Sequence, residues 1–119
     1  MPNSKIQFCV DNPYFCSPFH VWVDWKFPFL PRVGDDVTSW IWIKSEYCDL
    51  RKAKKELTSE GKEKLKKHKI ERNGDFESFL YLYGCEHSKC VSSVSFCRKY
   101  EDDEIDVFIV LSERQNAHK

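Results

Sequence analysis

The stretch Val37-Thr-Ser-Trp-Ile-Trp-Ile-Lys-Ser-Glu-Tyr47 is the one on which the fold turns. Read with a period of two, it sets Val37, Ser39, Ile41 and Ile43 on one face and Thr38, Trp40, Trp42 and Lys44 on the other. That alternation predicts a β-strand with its branched aliphatics turned inward. Upstream, residues 19–25 alternate in the same way, with Phe19, Val21, Val23 and Trp25 opposed to His20, Trp22 and Asp24. Paired as strands, the two segments predict a sheet face that carries Trp22, Trp40 and Trp42 beside His20, Asp24 and Lys44.

Between them Pro28 and Pro31 end the first strand, because neither can donate to a ladder. Residues 33–37 then read as a tight turn, with Gly34 available for a positive φ. A short strand is expected at residues 6–10, closed by Asp11-Asn12-Pro13. Downstream the period changes at Asp49, a good N-cap. Leu50, Ala53 and Leu57, then Gly61, Leu65 and His68, recur at helical spacing. Thr58 and Ser59 stand where a second N-cap would be, with Glu60 and Glu63 in the first turn, so two helices are expected. Asn73-Gly74-Asp75 closes this helical insertion, which covers about residues 49–72. Residues 77–83 are apolar on both faces and predict a central strand. Strands are also expected at 91–100 and 105–111, joined by the polar connection 101–104, and the tail 114–119 should be frayed. The prediction is a single α+β domain over residues 1–119, a mainly antiparallel small open β-barrel or curled sheet with a two-helix insertion.

The totals are consistent with such a domain. A chain of 119 residues with 41% hydrophobic and 15% aromatic residues can build one stable core. Nineteen basic and nineteen acidic residues cancel, which removes overall charge as an argument for nucleic acid or membrane binding. The N-terminal residues contain no apolar h-region and no run is long enough to span a bilayer, so a cytoplasmic protein is expected. Its six cysteines, Cys9, Cys16, Cys48, Cys85, Cys90 and Cys97, are then expected as thiols.

The segment Leu30-Pro31-Arg32-Val33-Gly34-Asp35-Asp36-Val37 resembles the PxxGDxV turn of many small SH3-like barrels. It is most similar to a set of short, uncharacterised bacterial proteins in which an apolar strand runs into this turn and the chain ends in two alternating strands. The resemblance covers about half the chain. It implies an SH3-like fold and carries over no catalytic residue; the helical insertion departs from the plain barrel.

Four constellations could carry chemistry. Cys85, His87 and Cys90 form the one local metal-like cluster, but zinc is usually held by two closely spaced ligand pairs, and no CxxC is present. Scattered cysteines more often serve as small apolar groups, so no metal and no cofactor are expected. Cys85 or Cys90 beside His87 could form a thiolate nucleophile, yet nothing supplies an orienting third group. No phosphate-binding glycine loop, nucleophile elbow or His-Glu-x-x-His occurs, leaving enzyme activity without positive support. Residues 51–72 hold ten Lys/Arg against four Glu. Lys52, Lys55, Lys62, Lys66, Lys67 and Lys69 could therefore meet nucleic-acid phosphates, although a solvated helix face explains them more simply. The tryptophan face could be a stacking platform, or the helices could cover it. The expected function is a non-catalytic interaction module for a protein or other macromolecule, with Trp22, Trp40, Trp42, His20, Asp24 and Lys44 as its site. The alternatives are a nucleic-acid binder using the basic helices and a small Cys/His metal or thiol enzyme.

Overall fold

The computed structural model describes residues 4–98 and 105–113. The connection 101–104 and the tail expected to fray lie outside them. The chain runs β1 (Ser4–Val10), β2 (Phe19–Trp25), α1 (Trp40–Ile43), α2 (Leu50–Lys55), α3 (Ser59–Arg72), α4 (Phe76–His87), β3 (Cys90–Arg98) and β4 (Ile105–Ser112). The strands form one open sheet in the order β2-β1-β4-β3. β1 pairs antiparallel with β2, as does β3 with β4, but β1 and β4 run parallel at the centre. The expectation of a mainly antiparallel sheet therefore holds for the outer pairs and fails at the middle. The cause is connectivity: the chain linking the two edges, β2 and β3, crosses the sheet as four helices and returns to the end where β2 began, so β3 runs parallel to β2 and β4 parallel to β1.

Those helices cover one face only. Phe19, Val21, Val23 and Trp25 of β2, Ile6, Phe8 and Val10 of β1, and Val107, Ile109 and Leu111 of β4 are buried beneath them. At about 25 cal/mol per Å² of apolar surface removed from water, this layer is the main source of stability. The other face presents His20, Trp22 and Asp24 of β2 with Cys9 of β1 and Phe108 and Val110 of β4, each exposed or half-buried. Period-two reading thus gave the correct inward residues for β2, and Trp22 on its outward face.

Two expected strands are helices. Residues 40–43 form α1, with Ser39, Trp42 and Ile43 buried, an i, i+3, i+4 set. Trp40-Ile41-Trp42-Ile43 is apolar at every position, so it satisfies a helical period as readily as a strand period. Residues 77–83 belong to α4. Phe76, Phe79, Leu80, Tyr83 and Gly84 make its inner stripe, and the Asp75 carboxylate caps it by accepting from Ser78 N–H at 2.8 Å. Helices α1 and α4 touch closely, because a Cβ on Gly84 would lie 2.7 Å from Ser39 Cβ.

The helical insertion forms as expected. Asp49 accepts from Arg51 and Lys52 N–H to start α2, and Thr58 accepts from Gly61 N–H to start α3. Gly61, Leu65 and His68 are the buried stripe of α3, and Asn73 ends it in the left-handed region at φ 51°. The segment after Pro31 also turns as expected, with Gly34 at φ 96° and Asp35 Oδ2 accepting from Arg32 N–H. It does not enter a strand of the sheet. Instead it lies along the first residues of β3, through Gly34 N–H to Val91 C=O, Val91 N–H to Asp35 C=O and Val37 N–H to Lys89 C=O.

Candidate functional site

β2 ends in Trp25, and Pro28 prevents its continuation. The chain folds back so that Trp25 Nε1 donates to Phe29 C=O at 2.9 Å, while the Phe27 ring meets the Trp25 ring edge-on at 5.0 Å. Opposite this loop stands α1. Its C-terminal side is fastened to the edge of β2 by Ser45 Oγ donating to Trp22 C=O. Between them opens a cleft of about 440 Å³ lined by Val23, Asp24, Trp25, Phe27, Trp40, Ile41 and Lys44, with Lys26, Ser45 and Glu46 at its rim.

Trp40 is held rigidly in the cleft wall. Its ring stacks on Tyr81 of α4 at 4.6 Å and 21°, and Lys44 Nζ lies 4.9 Å from its centroid. Lys44 also pairs with Glu77 of α4. The result is an apolar pocket of small-ligand or side-chain size, bounded by Trp25, Phe27, Trp40 and Ile41, with charges of both signs around it. Phe27 and Phe29, 64% and 81% exposed, extend the apolar surface outward.

The six residues expected at the site are divided by this geometry. Asp24, Trp40 and Lys44 meet in the cleft. Trp22 and His20 lie on the open face of the sheet, where Trp22 meets Phe108 at 6.0 Å. Trp42 is fully buried against Phe19 and belongs to the core. A strand reading of residues 37–47 placed these rings together; the helix separates them. Phe27 and Phe29 were not expected. Their signal is the Phe-Pro-Phe sequence of residues 27–29, where a proline-broken loop carries two large apolar rings that no strand or helix can bury.

Cys85, His87 and Cys90 face different neighbours. Cys85 Sγ is 3.3 Å from Ser39 Oγ, His87 packs on Tyr14 and Tyr83, and Cys90 Sγ contacts Val91 C=O. Among the described residues no three His, Cys, Asp or Glu side chains are grouped to hold a metal ion. Burial opposes the Cys85 thiolate, but hydrogen bonds from Ser39, Thr38 and Tyr81 outweigh it and lower the thiol below its ordinary value. Cys48 is the opposite case, pushed up to about 11, chiefly by burial and then by Asp49 and Glu77.

The basic residues Lys52 and Lys55 of α2 and Lys62, Lys66, Lys67 and Lys69 of α3 are all exposed. Lys62, Lys66 and Lys69 share one stripe of α3. No helix among the described residues is long and apolar enough to cross a membrane. No protein-family model matches the chain, and no curated protein or solved structure was found similar to it.

Proposed function

We propose that this protein is a non-catalytic binding module whose cleft between β2 and α1 receives an apolar side chain from an extended segment of a protein partner. The observation that carries this reading is Trp40, fixed by its stack on Tyr81 and aimed into a pocket walled by Trp25, Phe27 and Ile41. A rigid aromatic surface loses little entropy on binding, and anchoring side chains in such pockets supply most of the energy at interfaces. Asp24, Lys26, Lys44 and Glu46 set the charge pattern that a partner segment must complement.

Peptides selected from a random displayed library against the purified chain test it. They should share an aromatic or branched anchor, change the tryptophan emission on binding, and lose at least tenfold in affinity against Trp40→Ala. Peptides that bind Trp40→Ala and the native chain equally would overturn the reading.

A second reading rests on the exposed lysine stripe of α3, which could lie along a polyanion such as nucleic acid. It requires oligonucleotide binding that weakens steeply with salt and weakens further in Lys62→Ala/Lys66→Ala/Lys69→Ala. The absence of oligonucleotide binding at low salt would dismiss it.

A further inference from the structure

An edge strand exposes unpaired N–H and C=O groups, and folded proteins usually cover or charge such edges. In this sheet the two edges differ. On β2, Ser45 Oγ occupies Trp22 C=O and α1 stands alongside. On β3, among the described residues, only 34–37 lie alongside, and they cover its beginning through Lys89 and Val91. On their outer side residues 92–97, Ser-Ser-Val-Ser-Phe-Cys, pair with no described strand, and they contain no proline and no charge.

The ladder fixes which backbone groups point outward. Asp11 N–H donates to Leu111 C=O, so Leu111 faces β1. By alternation along β4, Val110, Phe108 and Asp106 face β3, where they pair with Ser93, Ser95 and Cys97. Val94 and Phe96 therefore turn their N–H and C=O groups outward. Among the described residues nothing meets those groups. Their side chains lie on the helix-covered face, in register with Ile109 and Val107. Yet Val94 is only half-buried and Phe96 is 63% exposed, since the helices stop short of this end.

We propose that this edge is a self-association surface, on which two copies of the chain join β3 to β3 antiparallel about a two-fold axis at Ser95. The strand is complementary to itself in that register. Val94 stands opposite Phe96 of the second copy, apolar against apolar, and Ser93 stands opposite Cys97 on the other face. Val94 N–H donates to Phe96 C=O of the second copy and Phe96 N–H to its Val94 C=O; the symmetry forms the same pair twice. The bulge between Val91 and Ser93 and the covering segment 34–37 end the open edge on one side, so the outward backbone groups of Val94 and Phe96 flank Ser95 symmetrically. The two sheets become one continuous sheet, and Phe96 is covered by its counterpart strand. This interface is independent of the cleft at α1.

The purified full chain tests it by light scattering and sedimentation from micromolar to millimolar concentration. The expected mass is about twice 14.2 kDa. Phe96→Lys, at an exposed position, should return the mass to that of one chain with an unchanged circular-dichroism spectrum. Ser95→Cys should form a covalent dimer on mild oxidation. It is made with Cys16→Ser and Cys97→Ser, which remove the two exposed cysteines. Ser95 pairs with itself at a non-hydrogen-bonded position, where Cα atoms are about 4.5 Å apart. Ser17→Cys in the same background is the distant, exposed control and should not cross-link at that rate. A single-chain mass throughout the range overturns the proposal. So does a dimer that survives Phe96→Lys while Ser95→Cys cross-links no faster than Ser17→Cys, or an edge that captures only unrelated extended peptides.

Discussion

Gly84→Ala tests the contact between α1 and α4, the two helices that sequence periodicity reads as strands. Alanine is favoured over glycine in a helix interior by about 1 kcal/mol, so an unobstructed site would gain that much. Here the added Cβ would sit 2.7 Å from Ser39 Cβ and 3.4 Å from Trp42 Cζ2. Ser39 cannot swing away, because a Cβ moves only with its backbone. Its Oγ is also bonded to Tyr81 C=O at 2.9 Å. Overpacking of this kind costs roughly 1–3 kcal/mol. Set against the propensity gain, the net effect runs from about zero to a loss of about 2 kcal/mol. Urea unfolding followed by circular dichroism reads it, and each kcal/mol should move Tm by about 4 °C in a chain of this length. In Ser39→Gly/Gly84→Ala the obstructing Cβ is gone. The pair should therefore be less destabilised than the sum of its single variants, by about 0.5 kcal/mol or more. A gain of about 1 kcal/mol from Gly84→Ala alone would refute the close approach of α1 to α4.

Asn12 is buried and ties the loop after β1 to the end of α4, donating to Ser88 Oγ at 3.0 Å and accepting from Tyr14 N–H at 2.9 Å. Asn12→Ala should cost roughly 1–3 kcal/mol in urea unfolding because buried partners lose their bonds; a loss below about 0.5 kcal/mol would contradict it. Thiol labelling by iodoacetamide, read by mass spectrometry at pH 8, should modify Cys85 well before Cys48, whose thiol holds its proton to about pH 11. The folded chain binds that Cys48 proton more tightly than the unfolded chain. The associated stability is therefore present below pH 9 and is lost as pH rises toward 11. A variant that keeps Trp42 and replaces the other tryptophans with phenylalanine should emit at short wavelength and resist acrylamide, since Trp42 is fully buried; ready quenching would place α1 away from the core.

The sequence was most informative where one period excluded the other. Phe19, Val21, Val23 and Trp25 alternate with His20, Trp22 and Asp24, two of them polar, so a strand buries the apolar set and leaves the polar residues outside, and β2 forms with that register. Asp49, Thr58 and Asn73 mark helix ends through short side chains or backbone freedom that act within a few residues, and each is found in that role. Residues 40–43 and 79–83 lack that contrast. Every position is apolar or aromatic, both periods fit, and only the neighbour across the core decides. Asp75 was a local signal for α4, but the apolar run after it reads equally well as a strand.

The candidate site divides along the same line. Asp24, Trp40 and Lys44 are legible in sequence as aromatic and charged residues near the sheet, but their meeting depends on α1 being a helix packed on α4. The strands β1 and β4, the inward-facing residues of β2, the helix caps of α2 and α3 and the turn at Gly34 follow from the chain itself, because alternation, capping and positive φ are properties of a few adjacent residues. The parallel pairing of β1 with β4, the helical state of α1 and the cleft beside Trp40 were decided by tertiary structure. They depend on contacts between segments far apart in the chain, and a locally ambiguous apolar run takes whichever form buries it best.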